Sequence, residues 1–312
     1  MPMRPSDLEV THKDAQVNGV RLHYVEKGRA DAPLVVLLHG FPESWWSWRY
    51  QIDPLVEAGY RVVAPDLRGY NTSEKKGPYD IDTLVADVCA LIDHAKAPSE
   101  SSKVLVVGHD WGGAVAWHLA ATRPEHCARL VVMNCPHPVM LSKALQSKWS
   151  QIKKSWYMFF FLVPFVPERL LTANHAAWVK KVFLGCAVDR SNFRGEEIEP
   201  LLQSALVPGA AHGMIEWYRA ALKQSLFDRK RMKGYAKIEV PSLLIWAKDD
   251  IALGFDDLVP GTERYAPKLR VEPIEKCGHF VQAEQPKAVN EKLVAFLREG
   301  GEARAQSDER SA

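Results

Sequence analysis

Five short, strongly apolar runs recur along the chain, at Leu34–Leu38, Arg61–Ala64, Val104–Val107, Leu130–Met133 and Leu243–Trp246, with a weaker sixth at Leu269–Ile274. Longer segments with helical spacing lie between them. Ile81–His94 carries Leu84, Val88, Leu91 and Ile92 at i, i+4, i+7 and i+8, and Trp111–Ala121 and Ala288–Leu297 read the same way. Strands this apolar have to be covered on both faces, and alternating helices supply the cover in a mostly parallel sheet. Upstream, Leu8–His12 and Arg21–Tyr24 flank Val17-Asn18-Gly19, a turn that predicts an opening antiparallel hairpin.

The alternation stops after Met133 and resumes at Val240-Pro241. From Pro136 to about Lys237 the pattern is helical, rich in aromatic residues and without a strand. The flanks cannot be separate domains without leaving an incomplete sheet. Residues 1–135 and 238–300 are therefore expected to form one core, and 136–237 a helical cap inserted into it. The polar, Gly/Ala/Ser-rich tail from Glu299, and above all residues 301–312, is expected to be disordered.

Composition narrows the function. With 40 basic and 38 acidic side chains the formal charge is +2, so no broad basic field is available for nucleic acid. Five Cys, an odd number with no C-x-x-C pair, read as reduced thiols in a cytoplasmic protein rather than a disulfide or zinc framework. Met1–Val10 lacks an apolar signal region, and the longest apolar run, Trp156–Val166, is broken by Pro164 and well short of the roughly 20 residues of a membrane span. A soluble protein without membrane association is expected.

The strongest chemical signal is Gly108-His109-Asp110-Trp111-Gly112-Gly113, where a strand runs directly into a helix. Small residues flank Asp110 as they flank the Ser of a nucleophile elbow, a turn too tight for bulk on either side. An Asp capping an ordinary helix behind a Gly turn would give the same letters. His39-Gly40-Phe41-Pro42 follows the first long strand, where such sheets place the second oxyanion N–H, here that of Phe41 beside that of Trp111. Gly278-His279-Phe280 follows the last strand, the place for a base, and Lys248-Asp249-Asp250 follows Leu243–Trp246, the place for its acid. Asp250 is preferred over Asp249.

On these motifs, with Asp66-Leu67-Arg68-Gly69-Tyr70, the chain from about Leu8 to Leu297 resembles the α/β-hydrolase superfamily and, within it, the epoxide hydrolases. The resemblance implies an eight-stranded, mostly parallel sheet with a helical cap after the sixth strand. It implies Asp110 as nucleophile, His279 as general base and Asp250 as its orienting acid, with oxyanion N–H groups from Phe41 and Trp111. Family members place two cap tyrosines over the nucleophile. Ser155-Trp156-Tyr157 and Glu216-Trp217-Tyr218 look like those sites, with Tyr157 and Tyr218 as donors to the epoxide oxygen. The expected pocket includes His39, Phe41, Pro42, Trp111, Trp156, Trp217 and Phe280. No metal or organic cofactor is expected, and the expected partners are a small apolar epoxide and water, in a monomer or homodimer. Haloalkane dehalogenases share the elbow and are the runner-up, although Phe41 stands where they commonly carry a halide-binding Asn. A non-catalytic ligand-binding protein of the same fold is the alternative from another class.

Overall fold

The computed structural model describes residues 4–96, 103–223, 232 and 234–309. Its sheet has eight strands: β1 (Thr11–Val17), β2 (Val20–Lys27), β3 (Leu34–Leu38), β4 (Arg61–Pro65), β5 (Val104–His109), β6 (Cys127–Met133), β7 (Ser242–Ala247) and β8 (Leu269–Ile274). They lie in the order β1-β2-β4-β3-β5-β6-β7-β8. β2 is antiparallel to both of its neighbours, and all other pairs are parallel. Every residue of β3, β4 and β7 is buried, which is why those runs are continuously apolar rather than alternating.

Helices α1 (Arg49–Glu57), α2 (Ile81–Ala95) and α3 (Asp110–Thr122) belong to the first half of the core. α2 starts where the Asp80 carboxylate accepts the Thr83 N–H, satisfying a donor that the helix itself cannot. After β6 come α4 (Pro138–Ser147), α5 (Trp149–Lys154), α6 (Trp156–Phe160), α7 (Val166–Cys186), α8 (Glu199–Leu206) and α9 (Ala210–Lys223), the helical insertion. α7 is interrupted at Ala173–Ala176, where the backbone leaves helical angles. The core then closes with β7, α10 (Phe255–Leu258), β8, α11 (Val281–Glu284) and α12 (Pro286–Glu309). Among the described residues no helix is long and apolar enough to cross a membrane.

One expectation needs correction. The first strand is Thr11–Val17, not Leu8–His12. Its register is set by the Asn18-Gly19 turn, both residues at positive φ, which pairs Val17 with Val20 and Thr11 with Glu26. This is an edge strand whose first four residues are exposed, so it carries little apolar signal. The last helix is traced to Glu309.

The cap is held to the core by close backbone approach as well as side chains. A Cβ at Gly213, in α9, would lie 2.4 Å from the Gly69 carbonyl oxygen, so only glycine lets the helix come this near. Beside it the Trp217 indole donates to the Arg68 carbonyl at 3.0 Å. Gly213→Ala should force α9 away from the core and cost about 1–3 kcal/mol. The measurable result is a lower urea midpoint with an unchanged m-value, and a midpoint equal to wild type would show that the contact constrains nothing.

Candidate active site

Parallel strands bring their C-terminal ends to one edge of the sheet, and the loops beyond β3, β5, β6, β7 and β8 meet there. The turn from β5 into α3 is the tightest of these. Asp110 sits in it at φ 48°, a left-handed conformation unfavourable for a residue with a Cβ. A Cβ on Gly112 would come within 2.1 Å of the Leu38 carbonyl oxygen, which explains the small residue there. The turn presents the Asp110 carboxylate to the loop after β3, whose Phe41 N–H donates to Oδ1 at 2.9 Å. Trp111 is the second residue of α3, where a backbone N–H has no partner inside the helix.

His279 stands on the other side of Asp110, with Nε2 3.6 Å from Oδ2. Its Nδ1 is 2.7 Å from Asp250 Oδ2, so the imidazole bridges two carboxylates. Asp250 is buried, whereas Asp249 is exposed. The Ala252 and Leu253 N–H groups donate to Asp250 Oδ1, at 2.8 and 2.9 Å. Asn134, just past β6 and at φ 40°, donates from Nδ2 to Asp250 Oδ2 at 2.7 Å and accepts the Ala247 N–H. The register pairing Met133 with Ile245 is what carries it to Asp250, and a lone Asn ending a buried strand was its only signal.

These groups control one another's charge. Burial pushes against ionisation of Asp110, but the His279 hydrogen bond and charge outweigh it and hold the carboxyl below the usual Asp range. Asp250 is likewise lowered, with burial opposed by His279, Asn134 and the Leu253 N–H. In His279 burial again works against charge, and the carboxylates of Asp250 and Asp110 overcome it, raising the imidazole well above its ordinary value.

A further buried network lies under this line, and sequence reasoning missed it. His109 places Nδ1 2.7 Å from Glu43 Oε2 and donates from Nε2 to the His279 carbonyl at 2.9 Å. Glu43 also accepts the Gly40 N–H and the Gln282 amide, tying the loops after β3, β5 and β8 together. A charged residue four positions after His39, in an otherwise apolar loop, is the trace it leaves in the sequence.

The cap supplies Tyr157 and Tyr218, whose ring centroids are 6.1 Å apart. Both border the same two spaces as Asp110, of about 600 and 720 Å³ counted out to their open mouths. The smaller runs past Trp111, Cys135, Pro138, Leu141 and Leu253, and the larger past Phe41, Phe161, Trp178, Val182, His279 and Phe280. Burial raises both phenols well above the ordinary tyrosine range, and the Asp110 charge adds to it. Trp156 lines the larger space, at its exposed end.

Three residues expected in the pocket lie outside both cavities. His39 is wholly buried, with Nδ1–H donating to the Gly40 carbonyl while Nε2 accepts the Leu67 N–H at 3.0 Å, so it locks the loop carrying Phe41. Pro42 is buried behind the same loop. Trp217 faces the core through Arg68 and packs edge-on against Trp111 and Tyr70, which fixes the helix bearing Tyr218.

An eight-stranded sheet in this order, with a tight turn after β5 and a helical insertion after β6, is an α/β-hydrolase fold. Residues 33–286 match the family model described as alpha/beta hydrolase fold. The chain is 39% identical to the AB hydrolase superfamily protein YfhM of Bacillus subtilis, over 90% of this chain and 96% of that one. It is 36% identical to Epoxide hydrolase 1 of Caenorhabditis elegans, covering 89% of this chain and 68% of that one. Among solved structures, a Bacillus megaterium epoxide hydrolase in complex with an inhibitor superposes with a TM-score of 0.82 at 29% identity, over 92% of this chain and all of that one. The chain belongs to the α/β-hydrolase fold family, among its epoxide hydrolases.

The charge coupling is testable through pH. His279 titrates above 6.5 in the folded state, so its pairing contributes stability that is complete below 6.5 and is lost as pH rises through the folded value. Asp250→Asn removes the largest raising influence. The imidazole of that variant should titrate at lower pH than wild type in proton NMR, and the alkaline decline in stability should begin earlier. An unchanged titration midpoint would show that Asp250 does not govern the His279 charge.

Proposed function

We propose that the protein hydrolyses apolar epoxides to vicinal diols through an ester formed on Asp110. The observation that carries this reading is a single half-buried carboxylate with an N–H on one oxygen and an imidazole beside the other, facing two phenols across the same cavities. A carboxylate needs no deprotonation at neutral pH, which suits attack on saturated carbon.

An Asp110 oxygen attacks a ring carbon while the carbon–oxygen bond on that carbon breaks. Tyr157 and Tyr218 donate to the departing oxygen, and one of them passes it a proton, leaving a hydroxyalkyl ester. Their raised pKa keeps both phenols protonated until that moment. His279 then takes a proton from water, and the hydroxide attacks the Asp110 carbonyl carbon. The Phe41 and Trp111 N–H groups hold the tetrahedral oxyanion. Its collapse releases the second diol oxygen, which takes the proton from the imidazolium, and the proton left on the regenerated Asp110 carboxyl passes by way of solvent to replace the one lost by Tyr. Asp250 and Asn134 keep the ring oriented throughout. The apolar walls of both cavities favour an apolar substituent on the ring.

Removing the base should strand the intermediate. His279→Gln, incubated with styrene oxide, is expected to gain the mass of one substrate on the peptide bearing Asp110. An unmodified Asp110, under conditions where the wild type turns over, would refute the covalent route. The cap donors are tested separately: Tyr157→Phe with Tyr218→Phe should slow ring opening by roughly 10²–10⁴-fold or more while leaving the fold's circular dichroism unchanged. Wild-type rates in that double variant would remove both tyrosines from the mechanism.

A further inference from the structure

The formal charge of +2 hides a strong asymmetry. Residues 137–188 contain seven Lys or Arg and one Glu, a net +6, while the remaining 33 basic and 37 acidic side chains give −4. The lone acid, Glu168, is engaged by Arg219 at 2.6 Å, and Asp257 of the core accepts from Ser150 beside Lys154, which leaves Lys148 and Lys153 without an acidic partner among the described residues. The same segment carries the exposed apolar surface. Of ten large hydrophobic side chains exposed among the described residues, eight fall between 149 and 170, including Trp149 at 69%, Trp156 at 61%, Phe159 at 56% and Phe165 at 73%. Phe165 is presented from a left-handed backbone, φ 65°, which is costly for a bulky residue. Arg219 holds the turn in place by donating to the Phe161 and Val163 carbonyls.

Aromatic and basic side chains are interleaved on this surface. Lys148, Lys153 and Lys154 flank Trp149 and Trp156, with the Lys153 ammonium 5.8 Å from the Trp149 ring. The surface is also continuous with the active-site cavity, since the larger space reaches the exterior past Trp156, Lys154 and exposed Ile251. We propose that the α5–α7 surface of the cap docks on an anionic lipid bilayer, with its aromatics in the headgroup region and its lysines on the phosphates. The six aromatics between Trp156 and Phe165 already offered a membrane-resting surface as a lesser alternative in the sequence, and the fold shows which of them face outward.

Physical chemistry favours a bilayer over a second copy of the chain. A two-fold contact would set Lys148, Lys153 and Lys154 opposite an identical positive set. An anionic leaflet pairs with each of them, attracting basic groups by about 1 kcal/mol apiece near its surface, and Trp and Phe are suited to the interface. If the site opens apolar epoxides, as proposed above, docking places its mouth against the phase in which such substrates dissolve. The docking itself is read without turnover, so it stands or falls separately from that chemistry.

The test is co-sedimentation of the full chain with vesicles of phosphatidylcholine, alone or mixed with phosphatidylglycerol. Wild type should bind the mixed vesicles, less so as salt is raised, and about tenfold more weakly when the anionic lipid is omitted. Phe159→Ser with Phe165→Ser, and separately Lys148→Glu with Lys153→Glu, should each lose about tenfold or more in binding while retaining wild-type thermal unfolding. Equal binding to both vesicle types, or full binding by either double variant, would overturn the proposal. So would absence of vesicle binding together with a dimer in sedimentation velocity that the Phe variants dissociate, because a second copy would then cover this surface.

Discussion

The close approach of α3 to the end of β3 is the constraint on which the rest of the site depends. At Gly112 there is no room for a Cβ against the Leu38 carbonyl, and Asp110 two residues earlier is forced to positive φ. Backbone strain of this kind survives only where the surroundings over-determine it. Here the surroundings are a fully buried parallel sheet and a buried network running from Glu43 through His109 to the loop of His279. The strain therefore converts core stability into the position of one carboxylate. Because the loop after β3 is locked by His39, the Phe41 N–H meets that carboxylate without any adjustment.

The cap is positioned by different means. The core supplies the carboxylates and imidazole from loops at the ends of parallel strands, whereas Tyr157 and Tyr218 come from helices on an insertion. Those helices are registered by the Gly213–Gly69 contact and by the Trp217 indole on the Arg68 carbonyl. Phe161 also packs against both Phe41 and Tyr218, joining the cap to the loop after β3. Such a division lets the cap vary its apolar walls without disturbing the charged line beneath, so long as the anchors beside Tyr218 are kept.

Much of this was legible before the structure. Buried parallel strands need continuous apolar runs, and a strand turning abruptly into a helix needs small neighbours around Asp110, so both leave local marks. The first strand did not, because an edge strand with a polar face owes its register to Asn18-Gly19 and not to its own side chains. The pocket list failed at His39, Pro42 and Trp217 for a related reason. Pro42 adjoins Phe41 and Trp217 adjoins Tyr218, both of which reach a cavity, but the side chains of all three pack into the core. Asn134 and Glu43 were invisible as partners, since their roles depend on pairings across 116 and 66 positions with Asp250 and His109. Sequence neighbourhood carries no information about such contacts.

The raised pKa of His279 at first sight argues against a base, because a protonated imidazole cannot take a proton from water. The causes of the shift remove the difficulty. Burial favours the neutral ring, and two carboxylates, those of Asp250 and Asp110, together reverse that preference. In the proposed mechanism the first step turns Asp110 into a neutral ester. One of the two raising charges then disappears while burial and Asp250 remain. The imidazole consequently loses affinity for its proton at the stage when a neutral ring is required, and regains it when the ester is cleaved. The same change acts on Tyr157 and Tyr218, whose pKa values are raised in part by the Asp110 charge, so proton donation becomes easier as that charge is consumed. In that proposal a single carboxylate, held in a strained turn, sets the protonation of its acid and base partners by changing its own charge once per turnover.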